Sequence, residues 1–523
     1  MRFLTTIVAS AFAVAAFAHE EDAGKGQLGK VNFANSCTPK VQQTISRGVA
    51  MLHSFWWPAG ESTFQEIATE DPNCVVAAWG FASILMYNPF VGGTPPKDVA
   101  RAQAAIDKGR QMGAKTEREK EYLEAVAAYW EDYTNRTERQ RALARSKAYE
   151  ALAAKYPKDD EAQIFNALYL IAIQQASDQT YSNSLKAASI LEKQFAKYPN
   201  HPGIAHYLIH SYDAPPIAQK GLPSAKRYAG IAPAAPHALH MPSHIFTRVG
   251  AWQDSAATNR RSADVALKGN EGDDALHAMD YIVYAYLQLG RDGEARKTYE
   301  EAARLSPSTP RFVGPYPQAA MPARLAVERG AWREAAQLQP TQSKFPFTEA
   351  VTYQARAIGA ARMGDAAAAK ADLEQITQRR DALRAAKNDY WATEVEVMRL
   401  AAAGWVALAE GRSDAAVGLM REAADLEDKN EKHPVTPGRI LPAREQLGDL
   451  LMEVKRPADA LKEYEQSQKR EPDRFRGLYG AALAAEMSGD AKAARRYYAR
   501  LVQIAGKGEP RAELTLARSY LAQ

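Results

Sequence analysis

Ten histidines stand in this 523-residue sequence, and six of them fall between His201 and His244. His206/His210 and His240/His244 form two H-x-x-x-H pairs, 34 residues apart. Residues four apart on an α-helix lie one above the other, so each pair can aim two imidazoles at one ion. His237 and His277 bring the donors to six, enough for two ions. Imidazole suits zinc, copper, iron and nickel, and zinc or copper is the expected cofactor. Asp213 and Asp280 are carboxylates that could ligate the metal or orient a ring. With Tyr284 they are also the candidate acid/base groups if the metal activates water or dioxygen, as in a hydrolase or oxidase. Because ligation requires neutral imidazole, metal binding is expected to weaken below about pH 6.

These side chains meet only if the pairs share one face of neighbouring helices, and the chain carries a register that arranges this. Gly448, Ala460, Tyr464 and Pro472 are followed 34 residues on by Ala494 and Tyr498. The same spacing recurs at Gly60/Phe64/Pro72, Ala187/Leu191/Pro199 and Ala295/Tyr299/Pro307. A small residue where two helices approach, an aromatic one turn later and Pro after the second helix suit packed helical hairpins. A second ruler is a Gly followed five residues later by Ala or Ser, at Gly250, Gly290, Gly330, Gly364, Gly411 and Gly489. Glycine there can end the first helix of a pair in the left-handed conformation. No alternating β-branched run long enough for a sheet is present.

In these motifs the chain resembles the tetratricopeptide-repeat (TPR) superfamily over most of residues 41–505, as an exported bacterial member with a histidine-rich central groove. The resemblance implies an all-α, right-handed superhelix of helical hairpins whose first helices line a concave groove. It also implies that a small molecule, a peptide or an envelope protein could bind in that groove. A metal-free interaction scaffold is accordingly one alternative function, and a metalloenzyme built in the groove is another.

Counting back from the repeat marks, first helices should begin near Pro202, Pro236 and Leu276. From those starts the six histidines, Asp213, Asp280 and Tyr284 fall within about 80° of one another, a single stripe on each helix. His53 would join the stripe from a distant repeat. His201 reads as a surface or capping residue and His433 as solvated.

The organisation expected is a signal peptide over 1–18, an irregular lead-in over 19–40 and TPR-like repeats over 41–200. The His-rich repeats follow over 201–307, with a Pro-rich insert at 214–236, and further repeats span 308–523. Met1-Arg2, an apolar stretch and Ala16-Phe17-Ala18 have the form of a secretory leader, so a secreted or periplasmic location is expected. Cleavage after Ala18 would place His19 at the mature N-terminus, where it could chelate copper, although the neighbouring Glu20, Glu21 and Asp22 read as a mobile acidic tail instead. No second apolar run spans a bilayer. Cys37 and Cys74 are the only cysteines, an even pair expected to be bridged in an oxidising compartment. A net charge of +4 without a basic, aromatic-rich run argues against nucleic acid as a partner. Phosphate-loop, H-E-x-x-H, G-x-S-x-G and paired C-x-x-C motifs are absent.

Overall fold

The computed structural model describes residues 27–307 and 311–523. The leader expected over 1–18 and His19 lie outside them. Among the described residues all regular structure is helical, and no helix is long and apolar enough to cross a membrane. Consecutive helices pack as hairpins. Trp252–Lys268 lies against Gly272–Gln288, Pro346–Arg362 against Ala366–Ala385, Asp389–Ala409 against Ser413–Asp428, and Phe475–Met487 against Ala491–Ala505. The chain is a helical-repeat solenoid.

Both sequence rulers have physical counterparts. Gly250, Gly290, Gly330, Gly364, Gly411 and Gly489 take φ values from 64° to 84°. The N–H after the glycine turns back to a carbonyl of the last helical turn, as in Ala251 to Phe246 (2.8 Å) and Arg291 to Tyr286 (2.9 Å). Where two hairpins meet, the Tyr464 ring fills the space left by a missing side chain. A Cβ on Gly480 would lie 2.3 Å from Tyr464 Cζ.

Three local expectations are corrected. The 214–236 segment is not an inserted loop: it contains a 3-10 turn, Ala218–Gly221, and a helix, Leu222–Ile231, packed on Pro202–Tyr212. Pro223 sits in the first turn of that helix, where a missing N–H breaks no bond. The helix carrying His277 begins at Gly272 rather than near Leu276. The helix from Pro236 is two pieces, Pro236–His240 and Pro242–Arg248, divided by Pro242. Met241 between them stays right-handed helical (φ −53°, ψ −36°), so the four-residue spacing of His240 and His244 still spans one turn.

Residues 27–38 are irregular but packed. Lys30 N–H donates to the Asn200 carbonyl (3.0 Å), and Phe33 stacks on Trp79 at 4.7 Å. Cys37 and Cys74 are joined in a disulfide. In the chain-entropy picture a loop of this length stabilises the fold by roughly 3–4 kcal/mol. Urea unfolding with and without reductant, or of Cys37→Ser/Cys74→Ser, should show that loss.

At the other end the solenoid curls back on itself. Trp252 Nε1 donates to the Asp473 carbonyl (2.8 Å), and the Tyr181 hydroxyl donates to Glu431 (2.9 Å). The connection after Ser413–Asp428 thereby crosses the histidine face. Its Pro434 and Thr436 carbonyls accept from the Tyr281 hydroxyl at 3.1 and 3.2 Å.

Candidate metal centre

Three helical stretches supply the site. Pro202–Tyr212 carries His206 and His210, the pair around Met241 carries His237, His240 and His244, and Gly272–Gln288 carries His277. The six histidines divide into two triads, His206/His210/His237 and His240/His244/His277, each with its donor atoms within 4.8 Å of one another. Each triad takes two rings from one helical turn and a third from the next repeat. The turn geometry repeats: ring centroids are 4.9 Å apart in both the His206–His210 and the His240–His244 pair.

In the first triad His206 Nε2 lies 3.2 Å from both His210 Nε2 and His237 Nε2. In the second, His240 Nε2 and His244 Nε2 are 2.9 Å apart, and the His277 ring lies 4.3 Å from that of His240. A tetrahedral ion with metal–nitrogen bonds of about 2.0–2.1 Å separates its ligand nitrogens by about 3.3 Å. The observed spacings are close to this value.

Hydrogen bonds at the far side of the rings fix which nitrogen carries the proton. His206 Nδ1 donates to the His53 carbonyl (2.7 Å), and His244 Nδ1 donates to Asp213 Oδ2 (2.8 Å). His240 Nδ1 donates to Asn259 Oδ1 (2.7 Å), whose own amide is oriented by Nδ2 donating to the Ser255 carbonyl (2.8 Å). Neutral His240 and His244 therefore point lone pairs at each other from 2.9 Å. Two facing acceptors repel unless a cation lies between them.

A proton is a poor candidate for that cation. Burial lowers the His206 and His277 imidazoles to about 3 and pushes His210, His237 and His240 well below the ordinary value. The expected loss of metal below about pH 6 is thereby moved to lower pH, because protons compete less well for these rings. Without metal the sign is definite. Groups whose folded pKa is depressed stabilise the fold above the unfolded value of about 6.5, and that contribution is lost as pH falls toward about 3. Urea midpoints of metal-free protein should fall steadily from pH 6.5 downward.

Asp213 lies behind the second triad rather than in it. Burial alone would raise its carboxyl, but Lys432, Arg248 and the His244 hydrogen bond outweigh burial and hold it well below the usual range. Arg248 Nε donates to Oδ1 at 2.8 Å, and Lys432 Nζ lies 3.8 Å from Oδ2. Burial pushes Lys432 itself down to about 8.

Asp280 and Tyr284 fall in neither triad. Asp280 Oδ1 accepts from Arg324 Nε (2.9 Å), while its other oxygen and His277 Nδ1 are buried without a hydrogen-bond partner among the described residues. The Tyr284 hydroxyl donates to Glu471 (3.1 Å) and accepts from Arg474 (2.5 Å). It shares the stripe of His277 but lies about 10 Å further along the axis, a displacement that an angular count does not register.

His53, His201 and His433 are placed differently from the sequence expectation. His53 Nε2 and His201 Nε2 donate to the two oxygens of buried Glu161, both at 2.9 Å, and the Tyr207 hydroxyl donates to His53 Nδ1 (2.9 Å). His201 is thus a buried hydrogen-bond partner of Glu161, and His53 serves the first triad through its backbone carbonyl. Gly203 permits this approach, since a Cβ there would lie 2.4 Å from His53 Nδ1. His433 stacks on Trp391 at 5.3 Å and is only partly exposed. Replacing Glu161 by Gln leaves one of the two imidazole donors unsatisfied, with an expected cost of about 1–3 kcal/mol in thermal unfolding.

Phe90, Tyr281 and Asn259 carry no motif in the sequence, whereas Phe55 belongs to the aromatic tract over 53–57 that reads as core. Phe55 lies 4.4 Å from the His206 ring, Phe90 lies 4.2 Å from His210, and Tyr281 lies 4.7 Å from His240. Phe90 sits in the loop that interrupts the repeat pattern after Asn88, and that irregularity was its one available signal.

No protein-family model and no curated protein matches this sequence. Among solved structures, the APC/C hetero-tetramer Cut9–Hcn1 aligns over 92% of this chain and 95% of the matched chain. The identity is 12% and the TM-score 0.30.

Proposed function

We propose that this protein is an exported helical-repeat metal protein whose six groove histidines hold transition-metal ions, zinc or copper, in two three-imidazole sites. The observation that carries the reading is the His240–His244 contact: both Nδ1 atoms are committed to acceptors, and both Nε2 lone pairs converge at 2.9 Å. Export is supported by the leader-like first 18 residues and by the Cys37–Cys74 disulfide, which persists in oxidising compartments.

Three protein donors per ion leave coordination positions free, the arrangement that catalytic rather than closed structural sites keep. The candidate acid/base groups are otherwise engaged: Asp213 orients His244, Asp280 pairs with Arg324, and Tyr284 belongs to the Arg474 cluster. A peptide partner has less room beside the triads than an open groove offers, because the segment with Pro434 and Thr436 lies across Tyr281. The test is elemental analysis of tag-free mature protein beside His206→Ala/His240→Ala. Stoichiometric metal in the parent and none in the double variant is the expected result. Metal in neither, even after titration, moves the function to a metal-free scaffold.

A further inference from the structure

Resting on the metal reading, we propose that the two triads hold a pair of copper(I) ions and that dioxygen is the ligand bound between them. The triads abut. The His210 and His244 rings are 5.6 Å apart across the boundary, and those of His237 and His240 are 5.9 Å apart. An exogenous molecule of two or three atoms is of a size to contact both ions.

Charge selects the ions. All six donors are imidazoles, which ligate an ion without adding negative charge. The carboxylates at hand are already matched, Asp213 by Arg248 and Lys432, and Asp280 by Arg324. Phe55, Phe90 and Tyr281 line the rings and solvate a cation poorly. The cost of burying an ion rises with the square of its charge, so this neutral donor set suits two monovalent ions better than two divalent ions that lack an anionic ligand. Among imidazole-binding metals, copper has the stable monovalent state.

Dioxygen supplies the anion that the protein withholds. Each copper(I) gives one electron, O2 becomes the peroxide dianion, and the O–O bond is reduced in order without being broken. No proton or external reductant takes part. The metal–ligand unit carries a charge of plus two before and after, so the buried site meets no added net charge. His237 is the half-buried member of the six and marks where a small molecule enters.

The test is to load mature protein anaerobically with a copper(I) salt, count copper per chain, then admit dioxygen while following absorption, oxygen uptake and the copper(II) paramagnetic signal. Two coppers per chain, one O2 consumed per pair, a new charge-transfer band and a nearly silent paramagnetic spectrum from two coupled copper(II) ions are expected. His240→Ala or His277→Ala, each lacking one triad member, should hold one copper and lose the coupled behaviour. Two coppers that take up no oxygen, or that give the full signal of two isolated copper(II) ions, overturn the dioxygen inference and leave the metal reading intact. A parent protein that binds no copper overturns this inference, and if it binds no zinc either the metal reading falls with it.

Discussion

His206→Ala is expected to lower the metal content from two ions to one per chain, and His240→Ala to do the same from the other triad. Each ring is the hub of its own set. His206 Nε2 contacts both partners at 3.2 Å, and His240 lies between His244 (2.9 Å) and His277. What remains, His210 with His237 or His244 with His277, is two rings from different repeats, and two ligands hold an ion less firmly than three. Binding also feeds into stability, since an ion at one hundred times its dissociation constant stabilises the fold by about 2.7 kcal/mol per site. Thermal unfolding with and without metal should therefore show a large upward shift for the parent, about half of it for either single variant and none for the double variant. Equal shifts in parent and double variant would place the binding elsewhere.

Asp213→Ala is expected to be the most damaging substitution outside the triads. It leaves Arg248 and Lys432 without their shared carboxylate in an almost fully buried setting and removes the acceptor of His244 Nδ1. Breaking a buried ion pair from one side costs about 3–5 kcal/mol. Loss of a group that orients a ligand ring lowers metal affinity about 10–100-fold. Asp213→Asn separates the two effects. Its amide oxygen can still accept from His244, so metal affinity should recover toward that of the parent while most of the stability loss remains. Chemical denaturation gives the first quantity and metal titration the second. An Asn variant as deficient in metal as the Ala variant would mean that the charge, not the orientation of the ring, matters to the ion.

How far the sequence led depended on whether a feature repeats. The 34-residue spacing and the turn glycines recur along the chain, so the hairpin fold and the positive-φ positions were legible in advance. His206/His210 and His240/His244 could be placed for the same reason, being equivalent positions of adjacent repeats. The partition into triads was not legible, because His237 turns toward His206 across a repeat boundary instead of joining His240 on its own helix. One proline misled and another went unread. Pro223 starts a helix rather than marking a loop, and Pro242 divides a helix without changing its register. Contacts that close the solenoid, such as Lys432 with Asp213 and Tyr281 with Thr436, join residues more than 150 positions apart and leave no local pattern. His201 reads from sequence as a surface or capping residue and His433 as solvated because their partners, Glu161 and Trp391, lie on other helices about 40 positions away.

Anomalous diffraction from crystals of metal-loaded protein, recorded at the edge of the bound metal, tests most directly whether six histidines hold two ions. Two peaks are expected, each about 2.0–2.1 Å from three imidazole nitrogens, one in His206/His210/His237 and one in His240/His244/His277. No peak at either triad, or a peak only at His53/Glu161/His201, would contradict it.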